Sequence, residues 1–270
     1  MDKKLSYLNK EFHYYEYGSG QPVVLVHGFA EDSGIWNDQI EFLQKKFRLL
    51  VPDLPGSGAS PHNDQLRTIE DFAEITRVIL DEEQIKESVL IGHSMGGYIA
   101  LAFAAKYGHQ LRGLGLFHST AYADSEEKKA ARRKSIAFIR EHGAPEFIKS
   151  TLPNLFSAGF NENHSSSVNE LIRKYSNFNP AALIAYYEAM IMRPDRKIVL
   201  KELGKPVLFI IGEEDKAVSP EDSLEQTHIP DIAFIHLLKK TAHMGLIENP
   251  SLTSHWLESF IEACYNPSWS

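Results

Sequence analysis

The sequence predicts an α/β protein: a doubly wound, mostly parallel sheet with an all-helical segment inserted late in the chain. Three observations lead there. Short aliphatic runs alternate with helical periods, the runs are apolar throughout rather than at every second residue, and the alternation lapses between about Ser119 and Arg193. A strand that is apolar on both faces is one covered by helices on both sides, as in a parallel sheet. Strands alternating with helices define the doubly wound class.

The strand candidates are Pro22–His27, Arg48–Pro52, Ser88–Gly92, Leu111–Phe117, Pro206–Gly212 and Ala233–Leu237, with His13 in an earlier alternating run. The helical candidates are Ile69–Glu83, Met95–Tyr107, Glu221–Thr227 and Pro250–Cys264. In the last of these Asn249 is placed to cap and Pro250 suits the first turn. Its Leu252, Trp256, Leu257, Phe260, Ile261 and Cys264 share one stripe. The gap also reads as helical. Asp124–Glu141 opens with acids, continues with bases and stops at Gly143, the order a helix dipole favours. Asn179-Pro180 starts another helix carrying Leu183, Ile184, Tyr187, Met190 and Ile191. The expected organisation is a core of residues 1–118 and 194–270 with a helical lid of residues 119–193.

Composition narrows the function. Lys plus Arg number 28 against 36 Asp plus Glu, a formal charge of −8, which repels phosphate backbones and argues against nucleic acid as a partner. The dense basic run Lys128, Lys129, Arg132, Arg133, Lys134 is interleaved with Glu126 and Glu127 and reads as a solvated helix face. No apolar run approaches the roughly 20 residues of a membrane span. Met1–Tyr15 lacks an apolar signal core, and the single Cys264 has no internal partner, so a cytoplasmic protein is expected. His and Cys do not cluster at ligand spacing and no phosphate loop is present, which implies neither a metal nor an organic cofactor. The partner expected is a small-molecule substrate, and the sequence leaves the oligomeric state open.

Chemistry concentrates at strand ends. Gly92-His93-Ser94-Met95-Gly96 follows a buried strand and precedes a helix, the setting in which G-x-S-x-G is informative. A serine there stands on a strained turn, small neighbours let the chains pass, and the backbone N–H of Met95 can face an oxyanion. The Gly28-Phe29 loop after Pro22–His27 offers a second donor, the N–H of Phe29, with His27 expected to brace that loop. Among twelve histidines His243 stands out, in a loop between the last strand and the last helix. The acid that must orient it is sought in the turn Glu213-Glu214-Asp215, where spacing alone leaves all three carboxylates open.

These pieces together resemble the α/β-hydrolase superfamily, specifically its lid-bearing serine hydrolases: esterases, C–C hydrolases and non-haem perhydrolases. The resemblance spans nearly the whole chain and rests on HGF at 27–29, PDLPGSGAS at 52–60, GHSMGG at 92–97, GEEDK at 212–216 and AHMGLIENP at 242–250. It implies Ser94 as nucleophile, His243 as base, Asp215 as acid, and Phe29 and Met95 as oxyanion donors. Pro52-Asp53 with Gly56 and Gly58 resembles the family's structural turn. Ser94 argues against the family's dehalogenases and epoxide hydrolases, which use an aspartate there. Ala242 stands where glycine is commoner.

The expected activity is hydrolysis of a small to medium, largely apolar carboxylic ester by acyl transfer. His27, Trp36, His118, Tyr122, Tyr187 and Met190 are candidate pocket residues, Phe29 joining them from the oxyanion loop. The alternatives are C–C cleavage of a diketone-like acid, for which the sequence places no basic residue in the pocket, and a ligand receptor retaining a hydrolase pocket.

Overall fold

The chain opens with a hairpin that the aliphatic runs do not announce. Strands β1 (Asp2–Tyr7) and β2 (Lys10–Tyr17) pair antiparallel across Leu8 and Asn9, both at positive φ. Two such residues make a turn whose twist matches that of a hairpin. In the computed structural model, which describes residues 1–266, all six aliphatic runs then become strands. They are β3 (Gln21–Val26), β4 (Phe47–Pro52), β5 (Ser88–His93), β6 (Leu111–Phe117), β7 (Val207–Gly212) and β8 (Ala233–Leu238), each end within one residue of its expectation.

The strand order is β1-β2-β4-β3-β5-β6-β7-β8, with β3 to β8 mutually parallel and β1 and β2 antiparallel. From β3 the chain first adds β4 on one side and then β5 on the other. The order therefore reverses between β3 and β5, and doubly wound sheets place their ligands at the carboxyl ends flanking such a reversal.

The helices are α1 (Asn37–Leu43), α2 (Ile69–Glu82), α3 (Met95–Tyr107), α4 (Glu126–Thr151), α5 (Ala158–Asn163), α6 (Ser165–Tyr175), α7 (Pro180–Met192), α8 (Lys197–Glu202), α9 (Pro220–Glu225), α10 (Gly245–Glu248) and α11 (Pro250–Tyr265). On one face of the sheet α1 packs with α11; on the other α3 packs with α2 and α8. α2 begins in a capping box, Thr68 with Asp71. α11 begins differently from expectation. Asn249 makes no cap; its side-chain amide donates to Thr241 Oγ1 at 2.6 Å, so it braces the preceding loop. Cys264 of α11 is buried against β6, where a Cβ on Gly113 would lie 2.3 Å from its Sγ.

The gap in strand alternation is occupied by α4 to α7. α4 contains a break at Gly143, whose φ of 81° lies outside any helix, so the expected stop is a joint between two helical halves. α7 packs against both α4 and α2 and so ties the insertion to the core. Among the described residues no helix is long and apolar enough to cross a membrane.

The tightest packing is at the β5–α3 junction. A Cβ on Gly92 would sit 2.1 Å from the carbonyl of Gly96. Backbone cannot move aside as a side chain can, so Gly92→Ala should lower the thermal midpoint by roughly 5 °C or more, read by calorimetry. Gly159→Ala is the contrast: its Cβ would meet nothing within 4 Å, and it should be neutral or slightly stabilising. Equal midpoints for the two variants would contradict the close approach.

Candidate active site

Ser94 connects β5 to α3 at φ 52° and ψ −117°, a sparsely populated conformation for an L-residue. Two bonds hold it there: its N–H donates to the Phe117 carbonyl at 2.8 Å, and Ser119 Oγ donates to its carbonyl at 2.8 Å. The glycines on either side permit the turn. A Cβ on Gly96 would lie 2.3 Å from the Val26 carbonyl oxygen. The Ser94 side chain does not cap α3; it lines a cavity of about 260 Å³ shared with Phe29, Tyr187, Met190 and His243. Among the described residues, the N–H groups of Phe29 and of Met95, first residue of α3, donate to no other protein group.

Asp215, of the three carboxylates, is the buried one; Glu213 and Glu214 are exposed. Its Oδ1 accepts from the N–H groups of Ala217 at 2.8 Å and Val218 at 2.9 Å, which fixes the carboxylate plane. Oδ2 then meets His243 Nδ1 at 2.8 Å, leaving Nε2 as the ring's free nitrogen. The His243 N–H donates to the Leu155 carbonyl at 2.9 Å, so the His243 loop is tied to the helical segment between β6 and β7.

A second histidine faces the same carboxylate. His118 Nε2 accepts from the Gly245 N–H at 3.3 Å, so its proton is on Nδ1, which lies 3.3 Å from Asp215 Oδ2. Burial pushes His118 down to about 4, so it is neutral. Burial alone would raise the Asp215 carboxyl, but the charge and hydrogen bond of His243, with His118 Nδ1 close by, hold it well below the usual carboxylate range. His118, Asp215 and His243 are also close enough to hold a metal ion. The hydrogen bonds just described account for the Asp215 oxygens and for His118 Nε2 without one.

Beneath Ser94 lies a pair that the sequence does not reveal. Glu31, 2 % exposed, accepts from the Gly28 N–H at 2.6 Å and faces His93 Nδ1 at 3.1 Å. His93 Nε2 faces the His243 carbonyl at 2.9 Å. Both ring nitrogens of His93 thus meet acceptors, so the ring carries both protons. Burial alone would lower its pKa, but Glu31 and the His243 carbonyl raise it above 6.5. Burial alone would raise Glu31, but His93 and the Gly28 N–H bring it below 4.5. This buried pair joins the loop after β3, the Ser94 turn and the His243 loop. His93 looked like a filler position in G-x-S-x-G, and no spacing rule links it to Glu31.

The structure corrects several expected pocket residues. Trp36 is fully buried, packed edge-on against His93 and Phe117, beneath the cavity rather than in it. His27 is also buried: Nδ1 donates to the Gly28 carbonyl at 2.8 Å, and Nε2 accepts from the Leu54 N–H at 3.0 Å with the Ser57 hydroxyl 2.8 Å away. It braces the loop. His118 sits behind Asp215, away from the cavity wall, and Tyr122 lies under Lys197 at 4.6 Å, outside the lining. Tyr187 and Met190 do line the cavity, Tyr187 stacked on Phe29 with ring centroids 4.2 Å apart. Lys128, Arg132 and Lys216 line it too. The basic run is therefore not a solvated face throughout, and a mostly apolar pocket also carries three cations.

With this geometry in view, a family model described as the alpha/beta hydrolase fold matches residues 21–130, the stretch holding Phe29 and Ser94. A thermophilic esterase from Thermogutta terrifontis, solved with malate bound, has a TM-score of 0.91 and 28% identity over 98% of this chain and 100% of that one. The enol-lactonase from Burkholderia xenovorans LB400 has a TM-score of 0.88 and 23% identity over 96% and 99% of the two chains. A pimeloyl-[acyl-carrier protein] methyl ester esterase of Nitrosomonas europaea is 25% identical, covering 79% of this chain and 85% of the relative. The chain has the α/β-hydrolase fold, and it is similar to hydrolytic enzymes of that fold over nearly its whole length.

The Glu31–His93 pair makes stability depend on pH. The raised His93 contributes fully below 6.5 and loses its contribution as pH rises through its folded value; the lowered Glu31 contributes above 4.5 and loses it as pH falls. His93→Asn leaves Glu31 buried and unpaired, which should cost about 3–5 kcal/mol. In urea titrations the gap between wild type and His93→Asn should be widest between pH 4.5 and 6.5 and should narrow as pH rises through the raised folded value of His93. A gap independent of pH would mean the pair is not ionised.

Proposed function

We propose that the protein is a serine hydrolase that cleaves carboxylic esters by acyl transfer, with Ser94 as nucleophile, His243 as base and Asp215 as acid. One observation carries the reading: Ser94, on a strained turn, shares a cavity with His243, whose Nδ1 is 2.8 Å from a buried carboxylate. The likeness to esterases at 25% and 28% identity adds to it.

In this reading His243 Nε2 accepts the Ser94 proton as Oγ attacks the ester carbonyl. The N–H groups of Phe29 and Met95 stabilise the oxyanion. His243 then protonates the departing alcohol and activates the water that releases the acid and restores Ser94. Asp215 fixes the tautomer and stabilises the imidazolium, and His118 keeps that carboxylate ionised and in place. Residues 119–193 act as a lid whose inner face supplies Tyr187 and Met190. Cleavage of a carbon–carbon bond in a diketone-like acid is the second reading, favoured by the cations on the cavity wall. A retro-Claisen assay on such an acid separates it from ester turnover.

A fluorophosphonate probe should label Ser94, and Ser94→Ala should abolish labelling, read by mass spectrometry. Asp215→Asn should lower ester kcat by on the order of 10⁴, because the amide favours the wrong histidine tautomer. Glu213→Gln and Glu214→Gln, both exposed, should have little effect. Labelling that survives Ser94→Ala removes the nucleophile.

The lid assignment is tested separately. Tyr187→Ala and Met190→Ala should shift kcat/KM preference along a series of ester chain lengths while Ser94 labelling persists. An equal loss on every ester, together with loss of labelling, would make these residues part of the scaffold instead.

A further inference from the structure

α4 presents its cavity-facing stripe at the spacing where an amphipathic helix usually places apolar residues. Lys128, Ala131, Arg132 and Ser135 fall at i, i+3, i+4 and i+7, and all four line the cavity that holds Ser94 and His243. Lys216, in the turn after β7 and next to Asp215, lines it as well. Three cations on so small a wall need partners. Among the described residues Lys216 makes no ion pair or hydrogen bond, and Lys128 donates only to the Ala217 carbonyl, at 2.8 Å.

Arg132 is held by Asp124, with Nε 2.5 Å from Oδ2, and its guanidinium lies 5.6 Å from the centroid of the Tyr187 ring. Asp124 does not neutralise it fully, because Arg193 shares the same carboxylate at 2.8 Å. The one acid on the cavity wall, Glu31, is already bonded to the Gly28 N–H and His93. Positive charge is therefore in excess here, in a chain whose formal charge is −8. The Tyr98 phenol, also on the wall, registers it: burial alone would raise its pKa, yet Arg193, Lys128 and Arg132 bring it below the usual value. A cavity lined by one sign of charge concentrates ligands of the other.

We propose that the substrate is a small ester or lactone bearing a second, free carboxylate, which Lys128 and Lys216 hold while Arg132 adds a third positive charge. This rests on the serine-hydrolase reading above. Hydrolysis breaks the acyl–oxygen bond and consumes one water, so an acyl-side carboxylate yields a dicarboxylate product that competes for the same cations. A carboxylate is favoured over a phosphorylated or nucleotide ligand because about 260 Å³ lies below the usual range of ligand pockets, about 300–1,000 Å³. The fork of Arg132, the group best suited to phosphate, is already taken by Asp124.

The test compares p-nitrophenyl hydrogen glutarate with p-nitrophenyl valerate, which share a five-carbon acyl chain. Wild type should prefer the charged ester, and Lys128→Met with Lys216→Met should lower the ratio of the two kcat/KM values by about tenfold or more. Arg133→Met with Lys134→Met, on the exposed side of α4, should leave that ratio as in wild type. Glutarate should inhibit competitively and better than inorganic phosphate. The proposal is overturned if valerate is preferred, if the double lysine variant keeps the wild-type ratio, or if phosphate inhibits as well as glutarate. Should neither ester turn over and Ser94 stay unlabelled, the hydrolase reading fails on its own. Calorimetry with glutarate then decides the anion site: heat lost in the folded lysine variant supports it, and no heat in wild type overturns it.

Discussion

Backbone approaches backbone at the β5–α3 turn more closely than any side chain would allow, and much of the site follows from that contact. Gly92 lies against Gly96, and Gly96 against the carbonyl of Val26 at the end of β3. Bringing β3, β5 and α3 this close puts Phe29 and Ser94 on one cavity wall, and among the described residues the N–H groups of Phe29 and Met95 have no protein partner. The same contact forces Ser94 out of ordinary backbone geometry, at φ 52°. That strain persists because the Phe117 carbonyl and the Ser119 hydroxyl fix Ser94 at both of its peptide groups.

Charge is handled around the turn by burial in pairs. Asp215 is ionised because three N–H groups, two from backbone and one from the His243 imidazole, bond it, with His118 Nδ1 3.3 Å away. Glu31 is ionised because a protonated His93 and the Gly28 N–H meet it. The two arrangements touch: His93 Nε2 bonds the carbonyl of His243, whose ring bonds Asp215. Removing one buried partner would strand a charge in a medium of low dielectric, so these groups are mutually dependent for folding as well as for geometry.

What the sequence disclosed follows the physics of each element. Continuous apolar runs gave β3 to β8 to within a residue, since a strand buried on both faces has no polar positions to obscure it. The G-x-S-x-G turn was legible because it joined such a run to a helix. β1 was missed because it lies at the sheet edge with mixed exposure, and Leu8-Asn9 carries none of the glycine that usually marks a hairpin turn. Asn249 has the residue type and position of a cap, yet Thr241 takes its amide. Composition could not divide the basic run. Only the direction in which α4 faces tells Lys128 and Arg132, at the cavity, from Arg133 and Lys134, at the surface. Trp36 was a candidate pocket residue, but its size suits the layer beneath, where it meets His93 and Phe117.

The break in α4 at Gly143 divides one long helix into two levers. The half before the break carries Lys128, Arg132 and Ser135; the half after it packs Phe147 against Phe29 and runs on to Leu155, whose carbonyl holds the His243 loop. The half that lines the cavity and the half that holds the His243 loop thus meet at one non-helical residue. Divergence within such a scaffold has a natural seam: the cationic half can be rewritten for a new ligand while the bracing half, and the site it steadies, is inherited unchanged.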